Sequence, residues 1–558
     1  MRLREVTGMR VLGVNAVFHD SSAALVVDGR IVAAVEEERI SRRKHGKRPV
    51  PFSAWELPVG AARACLDAGG LSPADLDAVA YGFDPALTKD AADLGLDDPW
   101  DHLRRTYAEH APQFLASALP GLDARRVRFV PHHVAHAASA ALAAPWRTCA
   151  VMVLDGRGER GSALLGRYRD GRLVVEATQD LPHSLGLVYE SLTEHLGFLR
   201  SSDEYKVMAL ASYGTPRFLD DLRPLLAATG DGGFTAVPPA WERWAPPRAP
   251  QDGWGGAHAD LAASVQARLE EVLVELARWL RERTGETRLA MAGGIALNCV
   301  ANSRVWREAG FDDVWVQPAA GDAGTALGAA LQLAADEGDM LRPMTDAALG
   351  RAWSDDEVAA ELRRAHVPFR TPTDLASVVA AALARDEVVA WFEGRSEFGP
   401  RALGRRSLLA HPGFAENLER LNDVKGREQF RPVAPMVLAD RAAEIFSGGP
   451  LPSPYMLFVH HVDPAWRDRI PAAVHVDGTA RIQTVDDAAQ PVLARVLRRF
   501  ADLTGLPVVV NTSLNTAGRP MVDSPHDALE LFGSSPVDLL VLGAHVVTRA
   551  ALFQDGDA

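Results

Sequence analysis

The sequence predicts an α/β protein of two domains, on three observations. Its 558 residues exceed what one ordinary hydrophobic core accommodates, so two large domains are expected. Residues 11–35, VLGVNAVFHDSSAALVVDGRIVAAV, and residues 151–176, VMVLDGRGERGSALLGRYRDGRLVVE, follow one order. Each reads apolar strand, acidic turn, strand, Asp-Gly turn, strand. An acidic connection over residues 335–372 then leads into a region where arginines gather beside glycines. The expected boundaries are 1–345 for the first domain and 346–558 for the second. An apolar fraction of 47% and a charged fraction of 24% are those of a globular chain.

The repeated meander, some 140 residues apart, predicts a first domain made of duplicated halves. Each half carries an acid in its first turn, Asp20 and Asp155. Two related halves facing each other across a cleft are the plan of the actin-like ATPase and sugar-kinase superfamily. Those folds bind nucleotide between the halves, with Gly-rich turns at the phosphates.

Residues 131–140, PHHVAHAASA, follow a short strand, RVRFV, at 126–130. Pro131 suits the first turn of a helix, where a missing N–H costs nothing. The alanine-rich run after it favours helix. His132 and His136, four apart, share one face with Cβ atoms roughly 6 Å apart. Two imidazoles can then reach one cation, provided that carboxylates arrive from elsewhere. LAMAGGIALNCVANSRV (289–305) reads strand, Gly-Gly turn, helix, and backbone N–H groups at such a turn suit a phosphate. VWVQPAAGDAGTALGAAL (314–331) repeats that order and places Asp322 between two glycines. A buried acid there is a helix N-cap or a ligand. Two imidazoles and two carboxylates, from His132, His136, Asp155 and Asp322, suit a divalent ion such as iron, manganese or zinc.

Two further stretches belong to the first domain. SSDEYKVMALASYG (201–214) sets Lys206 before an apolar helical run; the side chain is solvated or meets a phosphate. Residues 230–256, GDGGFTAVPPAWERWAPPRAPQDGWGG, have no period and read as an irregular loop. Trp241, Trp244 and Trp254 in that loop suggest a lid over an apolar substrate.

In the second domain, DLASVVAAALARDEVVAWFEG reads helix then strand. GRSEFGPRALGRRSLLAHP (394–412) and KGREQFRPVAP (425–435) contribute Arg401, Lys425, Arg427 and Arg431. DGTARIQTV adds Arg481, and the strand LPVVVN ends at Asn511. Arginine forks bind phosphate and carboxylate oxygens bidentately, so the collection predicts a pocket for a nucleotide and a second anion.

HDSSAAL, HHVAH, LDG, EYKVMALASYG, GGIALN, GDAGTALGAA, FGPRALGRRS, REQFRPVAP and NTSLN, in this order, resemble the O-carbamoyltransferases of natural-product and nodulation-factor pathways. That family includes the tobramycin and nodulation carbamoyltransferases, and the match covers nearly the whole chain. The resemblance implies a Kae1-like (actin-like, duplicated) domain joined to a YrdC-like α/β domain. It implies that the second domain converts carbamoyl phosphate and ATP with Mg2+ into carbamoyl adenylate. The first domain would then pass the carbamoyl group to an alcohol. By family position His132, His136, Asp155 and Asp322 are the metal ligands, with Fe2+ expected and Mn2+ or Zn2+ as alternatives. The same carry-over makes His19 the base, with Asp20 orienting it or touching the metal shell. It gives Gly293, Gly294 and Asn298 to the nucleotide, and Arg401, Lys425, Arg431 and Arg481 to anions, with Asn511 nearby. The stretch NAVFHD departs from the family's more aromatic form, and LDGRGERGS carries two arginines and a Glu where members vary. Both positions are expected to face the acceptor.

Several classes are disfavoured. A net charge of −14 argues against a nucleic acid held through its phosphates, and so against a tRNA-modifying fusion. Cys65, Cys149 and Cys299 have no paired spacing, which excludes a zinc ribbon and fits a reducing cytoplasm. The basic start is too short and polar for a signal peptide, and no apolar run reaches the ~18–20 residues of a membrane span. HHVAH lacks the Glu of a zinc peptidase. The expected acceptor is the hydroxyl of a secondary metabolite such as a polyketide or macrolactam, with a cationic aminoglycoside as the alternative. A homodimer is compatible with the sequence.

Overall fold

The computed structural model describes residues 8–46 and 57–553. Residues 1–7, the start of the segment rejected as a signal peptide, lie outside the described residues. The chain divides into two compact units, Met1–Thr345 and Asp346–Ala558.

The first unit holds two five-stranded sheets of one topology. In the first, β1 (Arg10–Asn15), β2 (Ser22–Val27) and β3 (Arg30–Glu36) form an antiparallel meander. β4 (Ala78–Tyr81) then pairs parallel with β1, and β5 (Val127–Phe129) parallel with β4. In the second sheet β6 (Thr148–Leu154), β7 (Gly161–Arg169) and β8 (Arg172–Asp180) repeat the meander. A two-stranded ribbon intervenes, β9 (Leu226–Ala228) with β10 (Phe234–Ala236). β11 (Arg288–Ala292) then pairs parallel with β6, and β12 (Asp313–Val316) with β11. The orders are β3-β2-β1-β4-β5 and β8-β7-β6-β11-β12, so the predicted duplication is realised strand for strand. Strands β1, β4, β6 and β11 are almost wholly buried, as expected where parallel pairing puts cover on both faces.

The loop over 230–256 departs from the expectation of no regular structure. It contains β10 and a turn of 3-10 helix at Trp241–Arg243. Trp241 is 3% exposed, and its indole N–H donates to Ser191 Oγ at 3.0 Å. Trp244 donates to Asp221 Oδ2 at 2.9 Å, and Arg248 stacks on Trp254 at 3.8 Å. Trp241 is therefore a core anchor, and the lid idea does not apply to it.

The second unit is built on a seven-stranded mixed sheet. Its strands are β13 (Val389–Phe392), β14 (Arg406–Ala410), β15 (Ala434–Leu438), β19 (Gln483–Val485), β20 (Val508–Ser513), β21 (Leu539–Leu542) and β22 (His545–Thr548). They lie in the order β19-β15-β20-β14-β13-β21-β22. Three short strands, β16 (Phe446–Ser447), β17 (His460–Val462) and β18 (Thr479–Ala480), form a side sheet. Alternate side chains feed two cores: Trp391, Leu409 and Val509 on one face, Phe392, Leu408 and Val510 on the other. Burying both faces removes enough apolar surface to fix the register, because a one-residue slip would exchange the two cores.

Candidate active site

Pro131 and the alanine-rich run produce a helix, His132–Ala141, directly after β5. His132 and His136 are both fully buried, with ring centroids 4.7 Å apart. Asp155 ends β6, and Asp322 precedes the helix Ala323–Asp336. That helix lies against the histidine helix, and Gly328 permits it: a Cβ there would sit 1.7 Å from Ala135 O. Any side chain at 328 would therefore push the two helices apart. Gly293, at φ 91°, allows the second close approach, since its Cβ would meet Leu154 O at 2.2 Å. This crossing brings the Gly294 N–H to Asp155 Oδ1 at 2.8 Å.

The four predicted residues converge, their ligand atoms within 4.8 Å of one another. His132 Nε2 lies 3.5 Å from Asp155 Oδ2 and 3.6 Å from Asp322 Oδ1. His136 Nε2 lies 3.8 and 3.5 Å from the same oxygens. These gaps exceed hydrogen-bond length. They match the edges of a coordination shell, in which bonds of about 2.1 Å set neighbouring ligands roughly 3 to 3.5 Å apart. His132 Nε2, His136 Nε2 and Asp322 Oδ2 are buried with no hydrogen-bond partner, and a divalent cation would satisfy all three. His132 Nδ1 lies 3.2 Å from Gly82 O. A carbonyl only accepts, so Nδ1 carries the hydrogen and Nε2 turns a lone pair to the cluster. Asp322 makes no side-chain capping bond to its helix, so of its two predicted roles the geometry favours the ligand. Burial disfavours a charged His132, but the nearby Asp155 and Asp322 carboxylates outweigh that and hold its pKa well above the usual histidine range. Asp322 stays well below the usual carboxylate range, because His19 and the two imidazoles overcome its burial.

His19 and Asp20 sit in the turn between β1 and β2. His19 Nε2 is 3.9 Å from Asp322 Oδ2, and its Nδ1 is 3.0 Å from Asp20 Oδ2. Burial works against a charged His19, yet Asp322 and Asp20 push its pKa up to about 10. Phe18 packs edge-on against His132 at 5.4 Å, and the guanidinium groups of Arg104 and Arg157 lie over its ring at 5.0 and 5.2 Å. Phe18 is thus the aromatic beside the His-Asp pair. The first of the two arginines of the LDGRGERGS turn does not face outward: Arg157 pairs with Asp98 at 3.0 Å and Asp101 at 2.6 Å. Glu159 of that turn is buried and accepts the N–H groups of His132 at 2.7 Å and Asp84 at 2.8 Å. It caps the histidine helix, so the Arg157 and Glu159 side chains are both engaged by groups of the fold.

The residues assigned to nucleotide are less uniform. Asn298 caps the helix Cys299–Glu308 through Ala301 N at 3.1 Å and donates to Gln266 at 2.8 Å. Both ends of its side chain are engaged in the fold. Gly294 already donates to Asp155. Lys206 pairs with Asp203 at 3.0 Å and lies over Phe198. A second acidic group, Asp20, Glu38 and His45, also gathers its ligand atoms within 4.8 Å, but both ring nitrogens of His45 are already hydrogen-bonded.

In the second unit, Lys425 ends the helix Glu416–Lys425 and is 4% exposed. Its ammonium donates to Ser513 Oγ at 2.9 Å, Asn515 O at 3.0 Å and Asn515 Oδ1 at 2.6 Å. Asn511, on β20, donates to Ala402 O at 3.0 Å and Gln483 Oε1 at 2.7 Å, which braces the turn beside Arg401. Arg481 precedes β19 with Nε buried. Arg427 donates to Asn422 at 2.6 Å, and Arg431 approaches Glu428 at 3.5 Å. Glu397 had no place in the sequence reading. Its buried carboxylate accepts three backbone N–H groups, from Leu403 at 2.6 Å, Arg405 at 2.9 Å and Arg406 at 3.1 Å. It fixes the FGPRALGRRS turn, and an acid inside a basic, Gly-rich motif was its only trace.

Fold and site together define a two-unit α/β protein with a divalent-metal donor set in its first unit. The family profile described as carbamoyltransferase N-terminus matches residues 10–237 and 245–331, and carbamoyltransferase C-terminus matches 380–549. The chain belongs to the carbamoyltransferase family, and is an O-carbamoyltransferase by class. It is 35% identical to uncharacterized protein sll1178 of Synechocystis sp., over 97% of both chains. It is 36% identical to nodulation protein NolNO of Sinorhizobium fredii, over 96% of this chain and 80% of that one. Nodulation protein NolO of Bradyrhizobium diazoefficiens is 39% identical over 76% and 80% respectively. Among solved structures, full-length HypF in its phosphate- and nucleotide-bound form covers 60% of this chain and 57% of its own. Its identity is 14% and its TM-score 0.31, and at that score the likeness decides nothing. No helix among the described residues is long and apolar enough to cross a membrane.

Proposed function

We propose that the protein makes carbamoyl adenylate in its second unit and transfers the carbamoyl group to a small-molecule hydroxyl in its first. In the first step water attacks the phosphorus of carbamoyl phosphate, the P–O bond to the carbamoyl oxygen breaks, and carbamate and inorganic phosphate result. A carbamate oxygen then attacks the α-phosphorus of ATP, and pyrophosphate leaves. In the second step the hydroxyl oxygen attacks the carbamoyl carbon, AMP leaves with the oxygen it shared, and a base takes the hydroxyl proton. Carbamate and its adenylate are short-lived in water, which is why both steps belong in enclosed sites.

The observation that carries this reading is the donor set of His132, His136, Asp155 and Asp322, with His19 beside it. When bound there, a divalent cation would supply positive charge to the adenylate phosphate and offset the carboxylates that hold His19 protonated. Glu159 and Gly82 keep the histidine helix in place, and Asp20 holds His19 by Nδ1. His19 is then left with Nε2 toward the reacting hydroxyl, the geometry that a general base needs. Arg401, Arg481 and Lys425 are the proposed anion binders of the activation step, with Asn511 bracing them, and Gly293 the proposed turn at the adenylate. The acceptor is proposed to be a secondary-metabolite alcohol.

The test is a mass-spectrometric search for carbamoyl adenylate after incubating the full chain with ATP, Mg2+ and carbamoyl phosphate, without acceptor. Adenylate together with pyrophosphate is the expected result. ATP bound but unconsumed, over hours, would sink the activation step.

A further inference from the structure

We infer that His45 is a positioning residue, the clamp that holds Asp20 so that Asp20 can orient His19; the inference rests on the transfer chemistry proposed above. His45 belongs to none of the motifs that mark the site and lies 25 residues beyond Asp20. It nevertheless grips Asp20 twice. Its ring Nδ1 is 2.7 Å from Asp20 Oδ1, and its backbone carbonyl accepts the Asp20 N–H at 3.1 Å. The other Asp20 oxygen is the one that meets His19 Nδ1, at 3.0 Å. The carboxylate therefore bridges two imidazoles, one on each oxygen.

Asp20 needs such a clamp. Its backbone is in the left-handed region, φ 50°, which is strained for an L-residue and persists only where surroundings over-determine it. Asn15 supplies part of that restraint by donating to His19 O at 2.9 Å and Asp20 O at 3.0 Å. His45 supplies the rest. It is itself fixed: its N–H donates to the buried Glu38 Oε2 at 2.7 Å, and its Nε2 lies 2.7 Å from Ser202 Oγ. Ser202 belongs to the second half of the duplicated unit, just before the helix Glu204–Ala211. The chain Ser202–His45–Asp20–His19 thus ties the second half to the turn that presents the base. A carboxylate with one oxygen loose would rotate about its last bond, and His19 would lose its fixed tautomer and aim. Outer partners of this kind typically matter at the level of about 10–100-fold in activity.

The experiment uses the full chain labelled with 15N at its histidines, with His45→Ala and His45→Asn variants. Asparagine keeps an N–H donor for Asp20 and loses the reach to Ser202. The first readout is the hydrogen-bonded Nδ1–H resonance of His19. It is expected in the wild type, lost in His45→Ala and restored in His45→Asn. The second is AMP release with water standing in as acceptor, expected to fall about tenfold or more in His45→Ala and to recover in part in His45→Asn. Unaltered resonance and AMP release in His45→Ala would overturn the clamp. So would equal loss in both variants accompanied by loss of the thermal transition, which would make His45 merely structural. If the resonances behave as expected while the wild type forms no carbamoyl adenylate, the clamp stands and the activation reading alone fails.

Discussion

The two units treat charge in opposite ways. In the first, His132, His136, Asp155 and Asp322 gather acceptor atoms whose neighbours are also acceptors, and several of these have no hydrogen to bind. In the second, Lys425 gathers hydrogens that protein oxygens already accept. A buried lone pair without a donor costs free energy, a cost that a cation held among the four residues would offset. The second is stable as it stands, and a phosphate can be recruited there only by exchanging with protein oxygens. The first set suits a cation; the second is a braced frame of basic and amide groups.

The largest expected effect breaks the first half of that contrast. His136→Ala should remove metal, read by plasma mass spectrometry, and lower transfer by about a thousandfold, several kcal/mol of barrier, while adenylate still forms. Wild-type metal content in that variant would show that the four residues are only a polar cluster. Trp241→Ala comes next. Because this indole is packed and hydrogen-bonded inside the first unit, truncation should cost about 3 to 4 kcal/mol in denaturant unfolding. A raised acceptor KM with unchanged stability would restore the lid. Lys425→Met tests the second half of the contrast: three or more oxygens lose their donor, and stability should drop by about 2 to 3 kcal/mol. A variant of full stability would mean that the ammonium is no part of the frame. The smallest effect is a pH slope. Burial, with help from Glu190, pushes the Glu204 carboxyl up to about 7. The folded state then holds a proton that the unfolded state has released, so stability should fall as pH rises from about 4.5 to 7. After allowance for solvent access the loss is about 1 to 2 kcal/mol, and Glu204→Gln should flatten the slope in melts across that range.

What the sequence displayed was what repeats locally. The meander of 11–35 and 151–176 announced the duplicated sheets, and the spacing of His132 and His136 announced a shared face. Asp322 remained ambiguous in sequence, because N-cap and ligand use the same residue at the same place; only its missing capping bond separates them. Asn298 shows the opposite outcome, a residue assigned to nucleotide whose side chain caps a helix. Trp241 was misjudged because composition reports that tryptophans are present, not which way they face. His45, Glu159 and Glu397 act on groups that sheet register and turn geometry bring close. Their contacts have no period, so no spacing rule reaches them.

The duplicated topology has a mechanical consequence. His19 with Asp20, and Asp155, occupy equivalent places, the first turn of each meander. The histidine helix and Asp322 likewise follow the last strand of each copy. One frame has thus been furnished twice with different chemistry, and the four-residue donor set assembles only where both copies face each other. Any sliding of one sheet against the other changes all four distances between the two histidines and the two aspartates. A cation bound there would be a rivet across the two copies. By reciprocity, whatever draws the copies together must raise the affinity for that cation by the factor with which the cation favours closure.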